Sequence, residues 1–535
     1  MSIISIGVSG LTAAQIALST SSNNTTNAYT DGYTLQVATF SESTSGSGVQ
    51  VSSVDRQYNQ FVTTQLNTSI SAESALSTNQ TEVDQIDSLL ADGDASLDTL
   101  MQSFFSAIQT LTSDASDTAA REEVVGAAET LASQFTQLGS YLDDMADDVN
   151  SQIDDQVTQI NDLTEQIADL NKKISLSDAL GSTSNDMLDQ RDLLVSQLSE
   201  LVEVDVTTQD NGSYNVSLSN GLALVSGNDS FDLETSVSAS DPTQTVVGYI
   251  DAAGNTTVLD DSTFGGSLGG LMDFRDTTLT DTQNQLGILA VTLTQAFNTL
   301  QAAGVDLNGD TGTDFFSVDD PSTYGNTNNT GDATLTATFT DDVSELSASD
   351  YTVNYSDADG YTVTRNDTGA SVDATYDTDT DTLTFAGMSV AISGTADDGD
   401  SFLVLPTRNA ASSFSTLTSD GSLIAAGTST GSSDNTNALA MLDLQTDTLV
   451  GGSSTLSETY AALVSDVGST ATSIAGQLET QESLTEQLTT LQQSESGVNL
   501  DEEAANLIVY QQYYQACAKV VEVGTTILDT ILDID

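Results

Sequence analysis

The chain of 535 residues contains no histidine, no tryptophan, one cysteine (Cys517), three prolines and only nine lysines and arginines. Each shortage removes a class of function. Without histidine, the usual near-neutral proton shuttle and the commonest metal ligand are missing. Ser-His-Asp and Cys-His catalysis are excluded, as are zinc sites built from His or Cys. One cysteine cannot close an intrachain disulfide. Nine scattered cations cannot form the clustered Lys/Arg surface that nucleic-acid phosphates require. An anionic membrane face is excluded on the same ground. No run approaches 18 continuous apolar residues, so nothing is expected to span a membrane. Residues 1–11 lack the basic flank and long apolar core of a secretory signal peptide. The reading is therefore no cofactor, no nucleic acid and no membrane.

What abounds is acid. Asp and Glu number 79, of which 60 are Asp, and the formal net charge is −70. High charge with low hydrophobicity can signal disorder. Here 38% of residues are apolar and strongly patterned, so most of the chain is expected to fold. Such a surface suits salty water, where screening silences repulsion between like charges. The length implies several domains.

The prolines, at 242, 321 and 406, all fall in the middle, where Gly, Asn and Asp also cluster. The layout reads helix-rich, strand-rich, helix-rich: a multidomain α+β chain. Heptad steps run through Leu97, Met101, Phe104, Ile108 and Leu111, then from Val124 through Leu131 and Leu138 to Met145. They continue through Ile153, Val157, Ile160, Ile167 and Ile174, with Thr164 and Asn171 as polar members. Beyond the middle they resume at Leu456, Tyr460, Leu463, Val467 and Ile474, then Leu484, Leu488 and Leu491. Such stripes predict the inside of a helical bundle. At the N-terminus Ile4, Val8, Leu11 and Leu18 mark one face, kept slim by Ala14 and Ala17. At the C-terminus Leu507, Tyr514, Ala518, Val521, Leu528 and Leu532 mark another. A terminal amphipathic helix has no partner in its own chain except the other end. The two are expected to pair with each other and with neighbouring copies. The middle predicts hairpins, at 214–218 with 222–225 and at 351–355 with 361–363, turned by Asn220-Gly221 and Asp359-Gly360. The expected domains are 1–50 with 505–535 as a coiled coil, and 51–203, 266–304 and 412–504 as a helical bundle. Residues 204–265 and 305–411 are expected to form two β-rich domains, the second facing outward.

Asp306, Asn308, Asp310 and Asp314 have the spacing of a calcium loop. Thr311 stands where the loop needs Gly and Ser317 where it needs Glu, so a plain turn is the stronger reading. Asp186, Asp189 and Asp192 surround Arg191, which is read as a buried or capping ion-pair partner rather than as acid–base machinery. Cys517 falls beside the C-terminal seam. With no His, an enzyme could use only carboxylate chemistry such as glycoside hydrolysis. A glycan-binding role for the outer domain is the other rival.

Several blocks carry a family resemblance. The first is Ser9-Gly10-Leu11-Thr12-Ala13-Ala14, Ser21-Ser22-Asn23-Asn24-Thr25-Thr26-Asn27 and Asp31-Gly32-Tyr33-Thr34-Leu35-Gln36. The last is Gly497-Val498-Asn499-Leu500-Asp501-Glu502-Glu503 with Asn506-Leu507, Tyr510-Gln511 and Tyr513-Tyr514-Gln515-Ala516. They resemble the two terminal signatures of the bacterial flagellar axial protein family. The first departs from it where Thr25-Thr26, Asp31 and Leu35 replace the usual Ile-Ala, Pro and Arg. Val54-Asp55-Arg56-Gln57-Tyr58 and Asn185-Asp186-Met187-Leu188-Asp189-Gln190-Arg191-Asp192 resemble the family's hook–filament junction branch, rather than hook-associated protein 3, flagellin or hook protein. The resemblance implies a structural, non-enzymatic flagellar component outside the cell. It implies export unfolded through the flagellar type III apparatus, without a cleaved signal peptide. The implied partners are further copies in a helical or ring assembly, hook protein, hook-associated protein 3 and the filament, and a FlgN-like export chaperone at the C-terminal helix.

Overall fold

The computed structural model describes residues 3–43, 48–91, 96–180, 184–430 and 433–532. Its helices, in chain order, are α1 (Ile3–Asn27), α2 (Gln60–Leu90), α3 (Leu97–Ser113), α4 (Thr118–Ala179), α5 (Asn185–Leu201), α6 (Gly266–Phe274), α7 (Thr280–Ala303), α8 (Ala410–Ser413), α9 (Thr436–Asp443), α10 (Leu456–Ser496) and α11 (Leu500–Leu532). A π-helical turn, Arg275–Leu279, joins α6 to α7.

The 62 residues of α4 form the spine. At 1.5 Å per residue it is about 93 Å long. Asp117 caps it by accepting from the Ala119 amide. A reciprocal capping box between Thr455 and Glu458 starts α10. The predicted heptad positions of α3 and α4 are all buried, including Thr164 and Asn171. At the centre Phe104, Phe297, Phe315, Phe316 and Phe414 touch ring to ring, with centroids 4.9–5.6 Å apart. Residues 315 and 316 thus belong to the bundle core, as do Ala411 and Phe414, and the strands of the outer domain run only from Ser322 to Leu405, inside the expected 305–411. The later stripe differs: Leu484 and Leu491 are exposed. Near Ser69, α10 meets α2 through polar contacts from Gln481 and Thr485, not through an apolar seam.

Both β regions form. In the first, Tyr214–Leu218 pairs antiparallel with Ala223–Ser226, and Gly221 at φ 87° supplies the turn. Asn171 of α4 anchors this sheet by donating to the Tyr214 carbonyl at 2.8 Å. The outer domain is a sandwich of a five-stranded and a four-stranded sheet. Tyr351–Ser356 and Gly360–Arg365 form its predicted hairpin. Its core includes Leu335, Val353, Val363, Val390 and Phe402, and it packs on Ile288 and Val291 of α7. Ser322 and Leu405 are cross-strand partners at its neck, so its two ends lie about 5 Å apart. Excision of 323–404 with a short glycine linker is expected to leave the bundle folded but melting lower than in the full chain, as followed by calorimetry, because Ile288 and Val291 lose their cover and buried Arg408 loses Asp350.

Two further differences concern the N-terminus. Two segments expected to straddle coiled coil and bundle form an antiparallel pair of strands, β1 (Gln36–Glu42) and β2 (Val49–Arg56). Helix α1 reaches a mean hydropathy of 1.5 over an 18-residue window. By length and composition it is therefore apolar enough to cross a bilayer, although Ser, Thr and Gln interrupt every continuous run. In this structure α1 packs on α11 and on the β1–β2 hairpin, and the rest of its apolar surface faces solvent.

Candidate functional site: the terminal helix pair and its joint

Helices α1 and α11 lie antiparallel, joining the two chain ends. Gly10 faces Cys517, Gly7 faces Val521, and Gly524 faces Ile4. A Cβ at Gly10 would stand 2.5 Å from the Cys517 Sγ, and one at Gly7 would stand 2.7 Å from Val521 Cγ2. Only a residue without a side chain permits so close an approach. The buried face of α1 is Gly7, Gly10, Ala13, Ala14, Ala17, Thr20, Ser21 and Asn24. This corrects the expected pairing face: Val8 is 48% exposed, while Ile4, Leu11 and Leu18 are only half-buried. On α11, Leu507, Cys517, Ala518 and Val521 are half-buried, whereas Tyr514, Leu528 and Leu532 are exposed. Close packing selects small residues, so the large apolar side chains are turned outward. Ile3, Ile6, Val8 and Ile16 of α1 are exposed, as are Ile508, Val509, Val523, Ile527, Leu528, Ile531 and Leu532 of α11. An unpaired apolar surface of this extent marks an association site.

Gly10→Leu is expected to split this pair. Overpacking costs about 1–3 kcal/mol even where neighbours can shift. Amides of α11 should lose hydrogen-exchange protection while those of α3 and α4 keep it.

The arm meets the bundle at a polar joint, and the motif blocks converge there. Buried Asn24 donates to the Gln36 carbonyl at 2.8 Å and accepts from the Gln36 amide at 3.1 Å and the Tyr33 hydroxyl at 2.8 Å. The Thr34 amide and hydroxyl donate to Asp189 at 3.1 and 2.6 Å. The Gln36 side chain donates to Asp186 at 3.3 Å, and Asn185 donates to the Val54 carbonyl at 2.8 Å. Arg56 pairs with Asp189 at 3.1 Å and Asp192 at 2.5 Å, all three nearly buried. On the other strand, the Leu35 amide donates to the Ser496 carbonyl at 2.8 Å. Burial, then Asp186, Asp189 and Glu503, push the Tyr33 hydroxyl up to about 12. Burial pushes the Asp192 carboxyl up against the pull of Arg56. Tyr214, which donates to Asp192 at 2.7 Å, is likewise raised by burial first and Asp192 second.

Arg191 is buried, but it is not the ion-pair partner the sequence suggested. Its Nη1 donates to Asn171 Oδ1 and the Gly212 carbonyl, both at 2.8 Å, and its guanidinium lies 3.4 Å from the centre of the Tyr214 ring. Arg56 takes the ion-pair role. The calcium-like loop closes on itself: Asp306 Oδ1 accepts from the amides of Asn308 and Asp310, both at 2.8 Å. Among the described residues no group of three or more acids or cysteines is arranged to hold a metal ion, and Asp306, Asn308, Asp310 and Asp314 form none.

Comparison with known proteins gives this architecture a family. Residues 83–316 match the flagellar hook-associated protein FlgK helical domain, and residues 324–406 match the flagellar hook-associated protein 1 D2-like domain. Residues 492–534 match the flagellar basal body rod FlgEFG protein C-terminal family. The chain is 41% identical over 552 residues to flagellar hook-associated protein 1 of Salmonella typhimurium, covering 100% of both. It is 40% identical over 547 residues to that of Escherichia coli, again covering 100% of both. Among solved structures, the flagellar hook junction protein FlgK from Burkholderia pseudomallei superposes with a TM-score of 0.75 at 32% identity, over 81% of this chain and 100% of that one. The fold is that of a flagellar hook-associated protein. The chain belongs to the flagellar hook-associated protein 1 (FlgK) family.

Proposed function

We propose that the α1–α11 arm is the element by which copies of this chain polymerise. The chain is a structural component of the bacterial flagellum and joins hook to filament. The observation that carries the assembly reading is the outward apolar face of a helix pair whose inward face is already satisfied. Burying that face against neighbouring copies gives the driving force. The partners follow: further copies of this chain, hook protein on one side, and hook-associated protein 3 with the filament on the other. The same exposed C-terminal face suits a FlgN-like chaperone that shields it before assembly, and the lack of disulfides suits export as an unfolded chain through the flagellar type III apparatus. The joint carboxylates are all engaged in holding the arm, which favours a non-enzymatic reading.

Leu528→Asp tests this. Leu528 is 50% exposed in the single chain, so the isolated protein should melt unchanged. In the assembly a desolvated charge there costs several kcal/mol. Hooks from cells carrying the variant should lack filaments and shed filament subunits into the medium. Normal filaments would remove the arm from the contact.

A further inference from the structure

A cleft of about 280 Å³ opens where three parts of the chain meet. Asp241 comes from the first β region, Asp276 and Asp281 from the π-helical turn and the start of α7, and Asp350 and Asp367 from the outer sandwich. Domain junctions and π-helical turns are frequent places for binding sites. These five aspartates line the cleft against a single cation, Arg408. Three of them have an arginine: Arg408 bonds Asp241 at 2.6 Å, Arg275 bonds Asp276 at 2.8 Å, and Arg365 bonds Asp367. Asp350 shares Arg408 with Asp241, and Asp281 has no cation partner among the described residues. Two negative charges are therefore left uncovered.

Asp350 is the buried one of the two. Its side chain is 3% exposed, one oxygen bonds Arg408, and the other, Oδ1, meets no donor among the described residues. A carboxylate oxygen buried without a donor is costly, and the cleft is the side from which a donor can come. Asp281 is exposed at the start of α7. Burial, then the charges of Asp367 and Asp350, push its carboxyl up. Helix α7 continues from α6 through the π turn, with Leu279 and Thr280 themselves helical, so no free helix N-terminus accounts for this acid. Arg408 Nε lacks an acceptor as well, but an anion reaching it would enter among five aspartates. A directly held metal ion does not fit either, because among the described residues no three acids converge. The two uncovered charges call for a cation with two separate positive ends.

We propose that this cleft binds a small linear diamine, one ammonium donating to Asp350 and the other to Asp281, with the methylenes against Phe402 and Leu403. Both apolar residues line the cleft. Its volume is that of about nine waters, room for a few methylenes between two ammonium heads. Asp281 belongs to the bundle and Asp350 to the outer domain, so the ligand ties one to the other.

The experiment titrates the full-length chain with putrescine, a linear diamine, by calorimetry in about 0.15 M NaCl, where the general pull of the acidic surface on cations is screened. One saturable site per chain is expected, and weak uptake without saturation overturns the proposal. Asp281→Asn should weaken binding by about tenfold or more, the worth of a hydrogen bond to a charged group. Asp357→Asn, an equally exposed change on the outer hairpin, should leave binding as it was. Equal effects of the two variants would reduce the binding to surface charge and overturn the site. Butylamine, with one ammonium on the same chain, should bind at least about tenfold more weakly, and equal affinity overturns the two-headed ligand. Saturation of the same site by magnesium chloride, lost in Asp281→Asn, would make it a metal site and overturn the proposal as well.

Discussion

Arg56→Met is expected to lower the stability of the bundle by about 3–5 kcal/mol, because removing one partner of a buried ion pair strands the other. Two carboxylates are stranded here, since Asp189 and Asp192 both bond the Arg56 guanidinium and both are nearly buried. Among the described residues, Asp192 keeps only the Tyr214 hydroxyl as a donor, and Asp189 keeps only Thr34. The loss should appear as a lower denaturation midpoint with unchanged helix content below it. A double variant, Arg56→Met with Asp192→Asn, should recover part of it, because the amide removes a buried charge and still accepts from Tyr214. An effect of Arg56→Met below about 1 kcal/mol would mean that water reaches these carboxylates, as it does in surface pairs of that worth.

The second large effect concerns salt. Assembly is expected to strengthen as ionic strength rises, the reverse of ordinary charge-driven association. Each copy brings a net −70, and the arginines that could offset it lie mostly inside, bonded to buried acids and carbonyls. Two unit charges 10 Å apart in water repel by about 0.4 kcal/mol, and packed subunits contain many such pairs. At about 1 M salt the Debye length is about 3 Å and most of that repulsion is gone. The apolar face of the arm is not weakened by screening. Sedimentation or light scattering between about 0.05 and 2 M NaCl should show dissociation at the dilute end. Equal or tighter assembly at low salt would show that the acids point away from the contacts.

The sequence displayed the parts of this molecule that depend on periodicity. The stripe from Leu97 to Ile174 is buried throughout because a helix repeats every 3.6 residues and a bundle has one inside. The β1–β2 hairpin was not legible: it is short, and its strands mix Ser, Thr and Gln with few large apolar residues. The face of α1 was misread for a physical reason. Hydrophobicity ranks Ile, Val and Leu above Gly and Ala, but helices that approach closely bury their smallest residues and leave the largest for other surfaces. The joint was half legible. The blocks 54–58 and 185–192 each stood out, yet nothing local says that Arg56 rather than Arg191 answers Asp189 and Asp192. That pairing spans 133 residues of sequence and is decided by tertiary structure.

The arm is tied to the bundle covalently at two places, between β2 and α2 and between α10 and α11. Two strands resist pulling through their covalent bonds. They resist twisting only weakly, since rotation about backbone dihedrals is soft. Torsional stiffness must therefore come from the noncovalent contacts of the joint: the hydrogen bonds that Thr34, Gln36 and Arg56 make to Asp186, Asp189 and Asp192, together with those of Asn185 to Val54 and of Leu35 to Ser496. Weakening the three carboxylates should yield a softer coupling between arm and bundle before it yields a broken one.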